Sequence, residues 1–266
     1  MASSEGTGAG RRAAGNRARD EDDVGDDEVI IRFRSNGVVR GGSLSEDRIV
    51  SGGEIYRLSE VELLAPCQPS KIVCIGLNYR EHADELQMKI PDEPIIFLKP
   101  PTAVLDPGKE IVYPASSSRV DYEGELGVVI GKKCRDVASK NYADYVLGYT
   151  CFNDVTARDL QKKDGQWTRA KSFDTFAPFG PWIAKIDPLD ADIQTRVNGQ
   201  IKQNSNTSDL IFDVPKLIEF ISGIMTLLPG DVIATGTPPG VGPVQKGDRI
   251  EIEIEGIGVL RNTVAL

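Results

Sequence analysis

The amino-acid sequence predicts a mostly β (α+β) fold decorated by a few short helices, and three observations carry that prediction. Apolar residues fall in short runs, several with the period-2 alternation of a strand that buries one face. There are 27 Gly and 16 Pro in 266 residues, above the usual combined share of about 12%, so turns are frequent. No βαβ alternation and no internal repeat is present, which argues against a wound parallel sheet.

In chain order, residues 1–27 mix Gly, Ala, Ser and Arg with acidic blocks at 20–23 and 26–27, without apolar periodicity. They are expected to form a disordered acidic tail. Arg11, Arg12, Arg17 and Arg19 suggest a transit peptide, but the acidic block contradicts one. Residues 28–65 read as a small N-terminal β module, with a strand at 29–34, a turn at Ser35-Asn36-Gly37 and a return at 38–40. Pro66 and Pro69 mark the boundary of a main domain over 66–266, which a buried strand at 71–76 opens. Further strands are expected at 126–130, 146–150, 231–235 and 250–254. In the last, the isoleucines should face a core, and Glu251 and Glu253 water. Helices are expected at 78–88, 155–163 and 214–227, the last carrying Leu217, Ile218, Phe220, Ile221 and Ile224.

The formal charge is −9 and the isoelectric point about 4.8, a poor match to a phosphate backbone, so no nucleic-acid partner is expected. Residues 1–28 hold four Arg against eight Asp or Glu, so nearly half of that acidity lies outside the main domain. No apolar run approaches the ~18 residues of a membrane span, and no secretory leader is evident. A soluble, cytoplasmic protein with no membrane partner is therefore expected. Cys67, Cys74, Cys134 and Cys151 form no CxxC pair, and His82 is the single histidine. Buried free thiols fit this pattern better than a structural zinc site.

Several segments could carry chemistry. In Asp121-Tyr122-Glu123-Gly124-Glu125-Leu126, Glu123 and Glu125 stand two apart, on one face of a strand. A solvated strand face is the plain reading. A cation held between repelling carboxylates is the functional one, and Gly124 leaves room for close approach. Asp154 falls where a strand becomes a helix, as a third acid or as a mere N-cap. Arg158 and Gln161 share a helix face and could bind a substrate carboxylate or only a surface Asp. His82 and Glu85 stand three apart, so the carboxylate can orient the imidazole for proton transfer; a lone histidine is more commonly structural. Lys171, near Trp167 and Phe173, is a buried cation seeking an anion or a snorkelling surface lysine. The loop Thr235-Gly236-Thr237-Pro238-Pro239-Gly240 lacks P-loop and dinucleotide spacing, so nucleotide binding is disfavoured.

Together these segments resemble the fumarylacetoacetate hydrolase family, in its acylpyruvase and 2-hydroxyhepta-2,4-diene-1,7-dioate isomerase-like branch. The resemblance rests on KIVCIGLNYREHADEL, PIIFLKP, VDYEGELGVVIG, GYTCFNDVTARDLQ, RAKSFDTFAPFGPW, RVNGQ and LLPGDVIATGTPPGVGP, in order to the C-terminus. It implies a distorted β-sandwich or roll, a homodimer, and a metal site with Glu123, Glu125 and Asp154 as ligands. Three hard oxygen donors suit Mg2+, with Mn2+ possible. It implies that His82 and Glu85 activate water and that Lys171 is the active-site lysine. It also implies that Arg158, Gln161 and Thr237 contact substrate, and that residues 81–93 or so form a lid. The implied activity is Mg2+-dependent chemistry on 2-oxo acids through a metal-stabilised enolate. C–C hydrolysis of acylpyruvate-type substrates or oxaloacetate decarboxylation leads; 2-hydroxyhepta-2,4-diene-1,7-dioate isomerisation is the alternative. An intact His82–Glu85 pair leans toward hydrolysis. A non-catalytic metabolite- or partner-binding protein on the same fold is the reading from another class.

Overall fold

The computed structural model describes residues 29–85, 87 and 89–266; the expected acidic tail over 1–27 lies outside them. The short apolar runs become strands of three sheets. The widest runs from Glu54–Arg57 through Arg48–Ser51, Val38–Ser45, Val29–Ser35, Ala177–Ala184, Val146–Asn153, Gly124–Ile130, Val232–Ala234 and Ile72–Gly76 to Ile95–Lys99. The N-terminal hairpin turns at Asn36 and Gly37, both left-handed, as the Ser-Asn-Gly signal predicts. Its first strand joins the main sheet with Ile30 opposite Ile183. The module is thus continuous with the main sheet, yet it keeps a small core of Ile31, Phe33, Leu44 and Ile49.

A second, five-stranded sheet includes Asp192–Val197, Gln200–Asn206, Arg249–Ile254 and Gly258–Val264. It packs across the central strands of the first, and Ile193, Ile252 and Leu260 share one core with Leu126, Val128 and Cys151. This is the layered, mostly β architecture expected. The layers approach closely at Gly124, where a Cβ would lie 2.1 Å from Thr195 Oγ1. The residue between the two glutamates therefore has to be glycine. A third, small sheet pairs Val120–Tyr122 with Thr156–Ala157 and Gly242–Pro243.

The helices are shorter than the sequence suggests, each for a local reason. Tyr79 bridges to Leu210, so the first helix, Arg80–Glu85, begins only at Arg80. Residues 156–157 are drawn into the small sheet, so the second spans Arg158–Asp164. Val214–Ile224 starts at an Asp213 cap and stops where Met225 turns extended. Glu251, expected to face water, is buried instead, because Arg196, Arg249 and Arg261 surround its carboxylate. All four cysteines are free and only Cys67 is not buried, consistent with their reading as thiols. No described helix is long and apolar enough to cross a membrane.

Strands 72–76 and 232–234 run parallel and side by side, and Asp231 clamps their starts. Its fully buried carboxylate accepts from Ser70 N (3.0 Å), Ser70 Oγ (2.6 Å), Lys71 N (3.2 Å) and Leu228 N (2.8 Å), and pairs with Lys71 Nζ. Burial alone would raise this carboxyl, but the Lys71 ammonium and Ser70 outweigh it and hold it below its ordinary value. Asp231→Ala should therefore cost about 3 kcal/mol, read from urea unfolding near pH 7. A depressed carboxyl contributes fully above its unfolded value and loses that contribution as pH falls below it. The difference between wild type and variant should shrink as pH is lowered through about 4; a difference that grows would contradict this role.

Candidate active site

The central strands converge on a cavity of about 260 Å³. Its lining includes Glu123, Glu125, Asp154, His82, Arg158, Gln161, Lys171 and Thr237, together with Ile75, Leu77, Ile95, Phe97 and Trp167. Every residue singled out in the sequence meets here except Glu85, which reaches the cavity through His82. One end is charged, and apolar and aromatic walls form the rest. Phe97 and Trp167 meet edge to face at 5.1 Å. Gly76 has no side chain because Trp167 lies 2.6 Å from where its Cβ would be.

The charged end is built from backbone outward. Glu123 stands between the strands Val120–Tyr122 and Gly124–Ile130, with its N–H donated to Asn153 Oδ1 at 3.1 Å. Asp154 follows the neighbouring strand Val146–Asn153, and its N–H bonds Glu123 O at 2.9 Å. Two adjacent strand ends thus bring the acids together, and ligand oxygens of Glu123, Glu125 and Asp154 all lie within 4.8 Å of one another. Asp154 is no helix cap, since Ala157 holds that position. The three carboxylates are 5%, 1% and 1% exposed, so they are not a solvated face.

Cations from other elements partly neutralise them. Lys171 Nζ, itself buried, bonds Glu123 Oε2 at 2.9 Å and Asp154 Oδ2 at 2.6 Å, which excludes the snorkelling reading. Burial alone would lower Lys171; the Asp154 and Glu123 charges outweigh it and hold the ammonium above its ordinary value. Arg158 donates to Asp121 Oδ2 at 2.9 Å and Gln161 Oε1 at 2.6 Å, and to Glu123. Its charge is therefore committed within the protein. Gln161, its carbonyl occupied, keeps its amide N–H groups for a ligand. Against burial, Lys171 and Arg158 hold Glu123 below the ordinary carboxylate range.

Glu125 differs. Its one hydrogen bond among the described residues comes from Gly236 N at 2.9 Å, and no described cation pairs with it. Burial, reinforced by Asp154 and Glu123, pushes its carboxyl well above the ordinary value. An all-oxygen site with one carboxylate lacking a counter-charge fits a hard divalent ion, which Glu123, Glu125 and Asp154 would hold. His82 Nδ1 meets Glu85 Oε2 at 3.0 Å, leaving Nε2 for proton transfer. Glu85 is also approached by Gly240 N at 3.3 Å.

Three contributors escaped sequence reasoning. Lys99, 1% exposed, pairs with Asp154 Oδ1 and donates to Val155 O at 3.0 Å. A lysine ending an apolar strand before Pro-Pro was its only signal. Gln203, from the five-stranded sheet, accepts from Gly124 N at 2.9 Å and donates to Thr237 Oγ1 at 2.8 Å. Asn78 ties Thr235 O (2.7 Å) to Phe212 N (2.8 Å) and Phe212 O (3.0 Å). A Cβ on Gly236, whose φ is +100°, would lie 2.7 Å from Asn78 Cβ. The Gly/Pro loop delivers the Gly236 N–H to Glu125 and the Thr237 hydroxyl to Gly124 O at 2.9 Å.

Comparison with known proteins agrees with this geometry. An uncharacterised protein of Archaeoglobus fulgidus is 60% identical over 238 residues, 88% of this chain and 95% of its own. The oxaloacetate tautomerase YisK of Bacillus subtilis is 45% identical, over 80% of this chain and 76% of its own. The crystal structure of 5-carboxymethyl-2-hydroxymuconate delta-isomerase from Mycobacterium smegmatis superposes with a TM-score of 0.84 at 47% identity, covering 89% of this chain and 98% of that one. Maleylpyruvate hydrolase from Sphingobium sp. SYK-6, solved with manganese(II) and pyruvate, gives 0.77 at 34% identity over 89% and 98%. Residues 71–265 match the fumarylacetoacetate (FAA) hydrolase C-terminal family, and the chain is an enzyme of that family.

Proposed function

We propose that the chain is a divalent-metal-dependent enzyme, with Mg2+ or Mn2+, that acts on small 2-oxo acids by enolisation. The observation that carries this reading is the convergence of Glu123, Glu125 and Asp154 on one cavity with the His82–Glu85 pair and Lys171. The named substrates of the relatives, oxaloacetate, a hydroxymuconate and maleylpyruvate, are 2-oxo acids or their enols, which supports it. A bound ion would supply Lewis-acid stabilisation of negative charge on an enolised substrate.

The protein's own residues would do the rest. Lys171 has three N–H donors; two are spent on Glu123 and Asp154, and the third is free for a substrate oxygen in the cavity. His82, oriented by Glu85, would accept a proton at Nε2, from water in hydrolysis or from carbon in isomerisation. Ile75, Phe97 and Trp167 exclude water from the carbon skeleton. C–C hydrolysis of acylpyruvates or oxaloacetate decarboxylation is the leading reading, because the dyad can activate water. Tautomerisation or diene-dioate isomerisation is the second, favoured by the names of the relatives at 45% and 47% identity. A homodimer belongs to the same proposal.

Purified protein should turn over at least one of acetylpyruvate, oxaloacetate and a hydroxydienoate with Mg2+, and lose that activity with chelator. Turnover unaffected by chelator would sink the metal-dependent reading. His82→Ala should depress hydrolysis by about 10²-fold or more and oxaloacetate decarboxylation far less; equal losses would contradict a role in water activation. Gln matches the neutral form toward which Glu125 is pushed, so Glu125→Gln should leave the metal-free melting temperature unchanged or raised. It should also abolish the rise that Mg2+ produces; a normal rise would show that Glu125 is no ligand. A raised carboxyl must lose its proton to bind a cation, so Mg2+ affinity should fall with falling pH and binding should release protons. Calorimetry in buffers of different ionisation heat reads both effects, and pH-independent affinity without proton release would contradict the assignment.

A further inference from the structure

Lys162 lines the cavity and has no place in the chemistry above. It stands on Arg158–Asp164, four residues beyond Arg158 and one beyond Gln161. Positions 158, 161 and 162 share a helix face, and all three line the cavity. Their electrostatic situations differ. Arg158 is matched by Asp121 and Glu123, and Lys171 by Glu123 and Asp154. His82 is held by Glu85. Among the described residues, Lys162 is the cavity-lining cation that no carboxylate pairs, and it is exposed, at the rim.

Charge balance says what such a cation can recognise. The inner site buries Asp121, Glu123, Glu125 and Asp154 against Lys99, Lys171 and Arg158, with Arg119 reaching Asp121 from the edge. With a divalent ion the sum is two positive charges, of which the head carboxylate of a 2-oxo acid cancels one. A second carboxylate finds no unspent cation on the walls, where Ile75, Leu77, Ile95, Phe97 and Trp167 are uncharged. It finds one at the rim. We propose that Lys162 reads a distal carboxylate, so that the substrates are small 2-oxo dicarboxylates lying with their carbon chain along the aromatic wall. This rests on the 2-oxo acid reading and narrows it.

The test compares oxaloacetate with 4-methyl-2-oxopentanoate, which replaces the distal carboxylate by an isopropyl group of similar shape. Dissociation constants are read on the full chain with saturating Mg2+ from tryptophan quenching in stopped flow, in the binding phase that precedes turnover, Trp167 being part of the cavity wall. Wild type should prefer oxaloacetate by roughly two- to fivefold at low salt, and the preference should fade as ionic strength rises. In Lys162→Met it should vanish through weaker oxaloacetate binding alone, and Lys162→Arg should restore it. Equal weakening of both acids, or none of either, in Lys162→Met overturns the proposal and leaves the 2-oxo acid reading standing. Binding of neither acid by wild type overturns that reading, and this proposal with it.

Discussion

Carboxylates that share a buried patch repel one another and lose hydration worth several kcal/mol per ion. Asp121, Glu123, Glu125 and Asp154 are each at most 5% exposed, and the rest of the site answers that constraint. Lys99 arrives from the strand Ile95–Lys99, Arg158 and Lys171 from two short helices, and Gly236 N from the loop after Val232–Ala234. No one element could hold such a cluster. The central strands, whose buried residues are shared between two hydrophobic cores, supply the rigidity that keeps the charges in place.

The two halves of the site rest on supports of different kinds. The acids sit at the ends of long, paired strands, where bonds from the Glu123 backbone to the Asn153 side chain and the Asp154 N–H set their spacing. His82 rides on a six-residue helix, too short to be stable alone. Its placement depends on the Tyr79–Leu210 bridge and on Asn78, whose side chain joins three backbone groups of neighbouring segments. A device for holding charge and a device for moving protons thus meet in one cavity whose walls are largely apolar.

Much of this was legible in the sequence because it was local. The period-2 strands, the Ser-Asn-Gly turn and the spacing of Glu123 and Glu125 are properties of neighbouring residues, and the structure keeps them. What was not legible depends on residues distant in the chain. Glu251 follows strand alternation, yet Arg196 and Arg261 from paired strands bury it. The cap reading of Asp154 was reasonable until residues 156–157 paired with Val120 and Asp121 and moved the helix start. Lys99, Gln203 and Asn78 are 55, 79 and 157 positions from the groups they bond, and no local pattern ties them to those groups. The resemblance to a known family joined these distant segments before any coordinates did.

The central claim is that the three buried carboxylates form a cation site. Diffraction from crystals grown with Mn2+, with data collected at the manganese absorption edge, tests it most directly. One anomalous peak per chain is expected, bounded by Glu123, Glu125 and Asp154, with Glu125 drawn into its coordination. A peak elsewhere, or none there while Lys99, Arg158 and Lys171 alone balance the acids, would contradict it.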